Sequence, residues 1–329
     1  MAKSVVHYDR TMNNSLVDCI KKSYPWIIEY VKNDPELDFQ TGQNKGTSWF
    51  SIYRGTGRVL TFRMGERGHL NITADKYYKR IAPDLSVFDV NLLNESVFNK
   101  YVTAVKNDFK LGRYYITNEG KREEGYYQNL IGRRYTFNTH PEDDFIIIDK
   151  ELVLGFDGDT EKEAWNAEIL DEQRMLIEES RKAFEGYRFP KDIKKQYGEF
   201  DFMALDWEGN FIIMELKQDD PQKTSLSPFQ CNYYYRQFQK LLAENRDEVV
   251  KAVKAMINQK VEMGIISIPA GRSLPEHFAC GVKTCVIVGE DHFSKEIRNR
   301  FKVLRKIVRP DMAAYSCSQD GTLITCSLS

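Results

Sequence analysis

The sequence predicts an α/β protein in which a mixed central sheet flanked by helices follows an N-terminal α+β accessory domain. Three observations carry this. Residues 1 to about 157 mix two or three helical runs with short alternating strands and Gly-rich turns. After the break at Gly158-Asp159-Thr160, the order becomes helix, strand, strand, helix, helix, strand, helix, strand, strand, as in an open mixed sheet. Within that second part, Gly198 to Asp220 (GEFDFMALDWEGNFIIMELKQDD) reads as a β-hairpin with ionisable residues at strand positions that ordinarily carry Val or Leu. The expected domains are therefore 1–157 and 158–329.

The elements follow in order. Leu16 to Lys32 has helical apolar spacing, with Ser15 as candidate N-cap and Pro25 expected to kink or split the helix. Thr47 to Tyr53, Arg58 to Met64 and His69 to Thr73 form a predicted β-meander. Ala74 to Ile81 and Leu92 to Phe109 are predicted helices. Tyr114 to Ile116, Arg134 to Phe137 and Phe145 to Phe156 are predicted strands. A long polar helix is expected over Glu161 to Phe184. Beyond it come strands at 199–206 and 210–217, helices near 227–243 and 246–262, a strand at 283–288, a helix at 294–307 and strands at 312–317 and 322–327.

The hairpin register can be derived. Asp206 suits the first position of a type I turn, and Gly209 suits the left-handed position that closes a three-residue loop. If Asp206 opposes Asn210, Asp201 opposes Glu215, and directly opposed residues share a face. Lys217 lies two residues beyond Glu215 and points the same way. A two-residue loop would instead separate Asp201 from Glu215. Buried charges are costly unless paired or bound to a metal, so the simplest reading is a divalent-metal site with a lysine beside it.

These residues resemble the PD-(D/E)XK nuclease superfamily over about residues 160–329. The pattern is Asp201, thirteen intervening residues, then Glu215-Leu216-Lys217. Gln230-Cys231-Asn232-Tyr233-Tyr234 on the next helix resembles the Q-x-x-x-Y of RecB-type members, and an aromatic packing helix fits the same residues. The resemblance implies a restriction-endonuclease-like sheet. It also implies a Mg²⁺ site, with Mn²⁺ able to substitute, formed by Asp201, Glu215 and the Leu216 carbonyl. Lys217 would orient the attacking water and stabilise charge on the phosphate. Relatives also use an acid on the preceding helix. Trp165, Ile169, Leu176 and Ala183 mark a stripe on which Glu172 falls, so Glu172 is the candidate, with Glu168 and Glu179 as alternatives and a solvated helix edge as the plain reading. Glu199 is a candidate second acid beside Asp201.

The expected activity is metal-dependent phosphodiester hydrolysis, with an endonuclease favoured. DNA is favoured over RNA because DNA-cleaving enzymes dominate the superfamily. A non-catalytic nucleic-acid- or protein-binding module and an RNA-cleaving enzyme are the alternatives. Two-strand cleavage would favour a homodimer.

Composition constrains the partners. The 329 residues carry 47 Lys and Arg against 48 Asp and Glu, so any nucleic-acid surface must be a local patch. One predicted patch is the helical stripe Arg298, Lys302, Arg305 and Arg309; another is Lys191, Lys194 and Lys195. In the N-terminal part, Arg54, Arg58, Arg63, Arg67, Arg133 and Arg134 are interleaved with aromatics. That pattern fits either phosphate and base contacts or the two faces of a sheet, with the sheet favoured. Gly42 to Ser48 lacks the G-K-[ST] of a P-loop, so no ATPase is expected. The six cysteines have no zinc-site spacing and read as reduced thiols of a cytoplasmic protein. No signal-peptide core or membrane-length apolar run is present, so no membrane association is expected.

Overall fold

The computed structural model describes residues 6–44, 46–82, 85–184, 198–218, 220–290, 293–326 and 328. Lys191, Lys194 and Lys195 lie outside the described residues. In chain order the elements are β1 (Val6–His7), α1 (Asn14–Ser23), α2 (Trp26–Asn33), β2 (Asp38–Asn44), β3 (Thr47–Arg54), β4 (Gly57–Met64), β5 (Leu70–Thr73), α3 (Lys76–Lys79), α4 (Glu95–Asn107), α5 (Glu124–Thr136), β6 (Phe145–Leu152), β7 (Gly155–Phe156), α6 (Asp159–Ala183), β8 (Phe200–Asp206), β9 (Phe211–Lys217), α7 (Pro221–Glu262), β10 (Val282–Val288), α8 (Lys295–Val308), β11 (Ala313–Cys317) and β12 (Leu323–Thr325). Short 3₁₀ helices occupy Leu85–Phe88 and Phe109–Tyr114. The fold is mixed α/β. Among the described residues no helix is long and apolar enough to cross a membrane.

The chain divides into two compact units. One comprises Met1–Tyr8, Glu142–Val250 and Gly271–Ser329, and the other Asp9–Pro141 and Lys251–Ala270. The division near residue 141 replaces the expected boundary at 157. The reason is strand pairing: β6 is antiparallel to β8, with Phe145 opposite Asp206 and Leu152 opposite Phe200, so the strand before α6 belongs to the larger sheet.

The smaller unit holds the antiparallel sheet β2-β3-β4-β5. Its core gathers Leu16, Ile20, Ile27 and Val31 of the first two helices with Phe50, Ile52 and Phe62 of the sheet and Phe98, Tyr101 and Val105 of α4. Pro25 separates α1 from α2, as its ring requires. The N-cap of α1 is Asn13, not Ser15; its side chain accepts from Leu16 N at 2.8 Å. Two further expectations are corrected. Arg134 to Phe137 ends helix α5 rather than forming a strand, and Tyr114 to Ile116 contributes only an isolated bridge between Ile116 and Arg122.

The larger unit holds a six-stranded sheet of order β12-β11-β10-β9-β8-β6. β6, β8 and β9 are mutually antiparallel neighbours, β10 and β11 continue parallel to β9, and β12 returns antiparallel. The parallel pairs are joined through α7 and α8, as parallel strands require. α7 is interrupted at Asn245, whose φ of −139° and ψ of 34° are non-helical, where the sequence predicts a break between two helices. α6 is held by a buried polar set. Asn166 accepts from Gln237 Nε2 at 2.7 Å and from the Tyr233 hydroxyl at 3.4 Å, and Gln173 donates to the Phe229 carbonyl at 3.1 Å.

The hairpin β8–β9 has the three-residue loop Trp207-Glu208-Gly209. Phe202 opposes Met214 and Leu205 opposes Phe211; Asp206 N donates to Asn210 O at 3.0 Å. Gly209 has φ +82°, and a Cβ there would stand 2.6 Å from Phe278 Cα. Gly209→Val therefore combines left-handed strain with a backbone clash. Urea denaturation is expected to show a loss of about 2 kcal/mol or more. An unchanged midpoint would contradict this loop geometry.

Candidate active site

The hairpin register places Asp201 opposite Glu215, continuing the pairs Phe202–Met214 and Met203–Ile213. Lys217 follows on the same face. Across the parallel pair, Val286 stands beside Glu215 and Val288 beside Lys217. That face is covered by Cys231 of α7 and Phe301 of α8, which pack with Val286 and Val288. Glu215 is only 1% exposed. A carboxylate so enclosed needs a cation or donor beside it.

Lys217 supplies one. Its ammonium donates to Glu215 Oε1 and, at 3.0 Å, to the Leu216 carbonyl. The Leu216 N–H donates to Asp201 Oδ2 at 2.7 Å. Asp201 keeps some exposed surface, but its carboxyl lies deep enough for burial to dominate and raise its pKa. The Lys217 charge, the Leu216 N–H and a hydrogen bond with the Glu215 carboxyl offset only part of that rise. A hydrogen bond between two carboxyls requires a proton on one of them, so the pair resists double ionisation.

Gln230 and Tyr234 lie one helical turn apart on α7, with Gln230 Nε2 donating to the Tyr234 hydroxyl at 3.1 Å. The Tyr234 hydroxyl donates to the Glu199 carbonyl, just before β8, and its ring packs on Phe200 with centroids 4.9 Å apart. Burial raises the phenol pKa strongly, and the charges of Glu215 and Asp201 add to that rise. Tyr234 is therefore within electrostatic reach of both carboxyls. The sequence assigned no role at the site to Cys231, which packs against Val286 and Val288 of β10. Burial raises its pKa most, followed by the field of Glu215, and its Sγ contacts the Cys285 carbonyl at 3.5 Å. A buried Cys inside the Q-x-x-x-Y frame was the available signal.

Glu172 does not join this group. It accepts from Arg236 Nε of α7 at 2.6 Å as a half-buried ion pair. The buried stripe of α6 runs Trp165, Asn166, Ile169, Gln173, Ile177 and Ser180, which turns Glu172 to the edge; Glu168, Glu179 and Ala183 are exposed. Three of those stripe residues are polar, so counting apolar side chains misplaced the stripe. Glu199 is exposed as well, and its carbonyl accepts from the Tyr234 hydroxyl. Glu151 is a strand neighbour of Asp201 to which the sequence assigned no role. Lys150 pairs with Phe202 and Leu152 with Phe200, which puts Glu151 next to Asp201 in the sheet, with a left-handed φ of 47°.

The predicted basic stripe is partly internal. Arg305 donates to the Met312 carbonyl at 3.1 Å. Arg309 donates to Thr284 and Asp311 and lies 3.4 Å from the Tyr235 ring centroid. The exposed cations of α8 are instead Lys295, Lys302 and Lys306, at steps of seven and four. In the smaller unit, Arg54 pairs with Glu36, Arg58 pairs with Asp75, and Arg133 donates to the carbonyls of Val31, Lys32 and Leu37. These arginines tie strands and helices together.

Among the described residues no group of three or more His, Cys, Asp or Glu side chains is placed to hold a metal ion. The oxygen donors of the site are two carboxyls and one carbonyl. Compared with family models, curated proteins and solved structures, the chain matches none.

Two outcomes follow from the buried charges. Lys217→Met strands the Glu215 carboxylate and is expected to cost about 3–5 kcal/mol in urea melts, most of it recovered in Glu215→Gln/Lys217→Met. A raised Asp201 pKa means that the folded state holds the proton more tightly. Its contribution to stability is therefore lost as pH rises from the free-carboxyl range through the folded value. In a pH series of melts in EDTA, Asp201→Asn is expected to remove that loss.

Proposed function

We propose that the chain is a metal-dependent nuclease of the PD-(D/E)XK superfamily, with its larger unit forming a restriction-endonuclease-like domain that hydrolyses phosphodiester bonds in DNA. The observation that carries this reading is the convergence of Asp201, Glu215 and Lys217 on one covered sheet face. The Gln230–Tyr234 pair beside them adds support.

The donor set fits a hard divalent cation. Glu215 Oε1 and the Leu216 carbonyl both accept from the Lys217 ammonium, so the two oxygens already converge on a positive charge. Mg²⁺ and Mn²⁺ take such oxygen donors and fill their remaining positions with water and phosphate, so two carboxylates and a carbonyl suffice. Asp201, Glu215 and the Leu216 carbonyl would hold the ion. When bound, it lowers the pKa of a water molecule and polarises the phosphate.

The residues divide the remaining work. Lys217 lies beside two carboxyls and keeps its proton, so it acts through charge and hydrogen bonding: it orients the water and stabilises negative charge developing on the phosphate. Tyr234 fixes the chain at Glu199, two residues before Asp201, and Gln230 holds the Tyr234 hydroxyl. Both are positioning residues. Among the described residues, Glu172 is withdrawn from this scheme by its pairing with Arg236.

A second reading rests on one observation. The Lys217 ammonium already occupies Glu215 Oε1 and Leu216 O, which also suits a non-catalytic module that binds nucleic acid or a protein. Incubation with circular and linear DNA and Mg²⁺ or Mn²⁺ separates the two. The nuclease reading expects cleavage of both forms, abolished in Glu215→Ala and Lys217→Ala. Tyr234→Phe is expected to retain cleavage at a rate lowered about tenfold or more. Cleavage of RNA in place of DNA would reassign the substrate. Absence of cleavage, with no heat of Mn²⁺ binding in calorimetry, would favour the non-catalytic module.

A further inference from the structure

The smaller unit carries a surface that the arginine-and-aromatic interleaving of the sequence did not single out. Arg113 of the 3₁₀ helix Phe109–Tyr114 lies with its guanidinium 4.3 Å from the Tyr77 ring centroid and 4.7 Å from that of Tyr114, and it donates to the Tyr114 hydroxyl at 2.6 Å. Lys76 and Arg80, one helical turn apart, approach the same Tyr77 ring at 4.9 and 5.7 Å. Lys110 eclipses Arg113, because positions three apart coincide on a 3₁₀ helix. Its ammonium is 5.8 Å from the ring of Phe109, which is 63% exposed.

Two properties separate this cluster from the other basic residues of the unit. Its four cations are exposed, and among the described residues none has a carboxylate partner, whereas Arg54, Arg58 and Lys106 are paired with acids. Its aromatic rings are also accessible: Phe109 projects into solvent and Tyr77 is only partly covered. The Tyr77 phenol is held below its ordinary pKa, chiefly by its hydrogen bond with Arg113 and then by the Lys76 charge, which reports a positive local potential.

The geometry points to a binding surface for single-stranded nucleic acid on this unit, with Phe109 and Tyr77 stacking bases and Lys76, Arg80, Lys110 and Arg113 contacting phosphates. Unpaired cations next to open rings match a polyanion that also offers flat apolar faces. A duplex keeps its base faces stacked internally and would leave Phe109 unused. An acidic peptide offers charge without the faces. This surface belongs to the smaller unit and the Asp201–Glu215 pair to the larger, and its test does not depend on cleavage.

The test is fluorescence anisotropy of the full chain with a labelled oligothymidylate in EDTA, over a salt series. The wild type is expected to bind, with affinity falling as salt rises. Lys76→Ala/Arg80→Ala/Arg113→Ala is expected to weaken binding at least about tenfold and to lower the salt slope by about two, the share of three phosphates on a single strand. Phe109→Ala is expected to weaken binding about fivefold or more with the slope unchanged. Lys110→Ala, an exposed side chain with no carboxylate partner among the described residues, is expected to lower the salt slope by about 0.7 and keeps the test decisive should the triple variant not fold. No binding, equal binding by every variant, or equal wild-type binding to duplex DNA, polyglutamate or anionic vesicles would each overturn the proposal.

Discussion

The Glu215 carboxylate is buried in the middle of a sheet, and the arrangement around it follows from meeting that demand. Its charge is answered by Lys217 two residues along the same strand, and the Lys217 ammonium also reaches the intervening carbonyl. The Leu216 amide between them holds Asp201 from the neighbouring strand. The hydrogen-bonding groups of this strand end are thus committed to each other and to Asp201. This works only if Asp201 lies directly opposite Glu215. A slip of one residue would turn Asp201 to the other face and leave Glu215 and Lys217 without it.

Because the register matters so much, both ends of the hairpin are secured. At one end, Asp206 accepts from the amides of Glu208 and Asn210 and pairs with Lys283. At the other, the Tyr234 hydroxyl holds the chain at Glu199. α7 connects this strand end to the rest of the larger unit. It places Cys231 over Val286 and Val288, while the buried polar set of Asn166, Tyr233 and Gln237 fixes α6 against it. The polar groups of that set do in the interior what apolar side chains do elsewhere, and they do it with direction.

The hairpin was legible because its signals are local: a turn residue, a glycine at the left-handed position, and period-two alternation. The strands β3, β4, β5, β10 and β11 were legible for the same reason. Other features were hidden where a polar residue is buried or an element is enclosed on all sides. α5 buries Tyr127, Gln128, Asn129, Ile131, Gly132 and Arg133, so it has no polar face for periodicity to find. β2, with the sequence DFQTGQN, buries Gln40 and Thr41 and does not read as a strand. The stripe of α6 was legible at Trp165 and Ile169 and misplaced beyond them because Gln173, not an apolar side chain, occupies its centre. Glu172 was therefore drawn towards the site, when Arg236, on another helix beyond the β8–β9 hairpin, is its partner. Long-range pairing of that kind leaves no trace in spacing. The strand β6 joined the larger unit for a similar reason: only its ladder with β8 reveals it.

The turn at Trp207–Gly209 is tied to a segment far along the chain. Ala279 N donates to the Glu208 carbonyl at 3.1 Å, Cys280 N to the Gly209 carbonyl at 3.0 Å, and Phe211 N to the Gly281 carbonyl at 2.8 Å. Hairpin tips are ordinarily the tolerant places in a protein, where epitope tags, spectroscopic labels and extra residues are accommodated at little cost. This tip behaves as an interior position. An insertion there would break main-chain bonds to residues 279–281 and unfasten the strand that carries Glu215. Tags and probes belong elsewhere on the molecule, and variation in length among natural versions of this chain is expected to spare this loop.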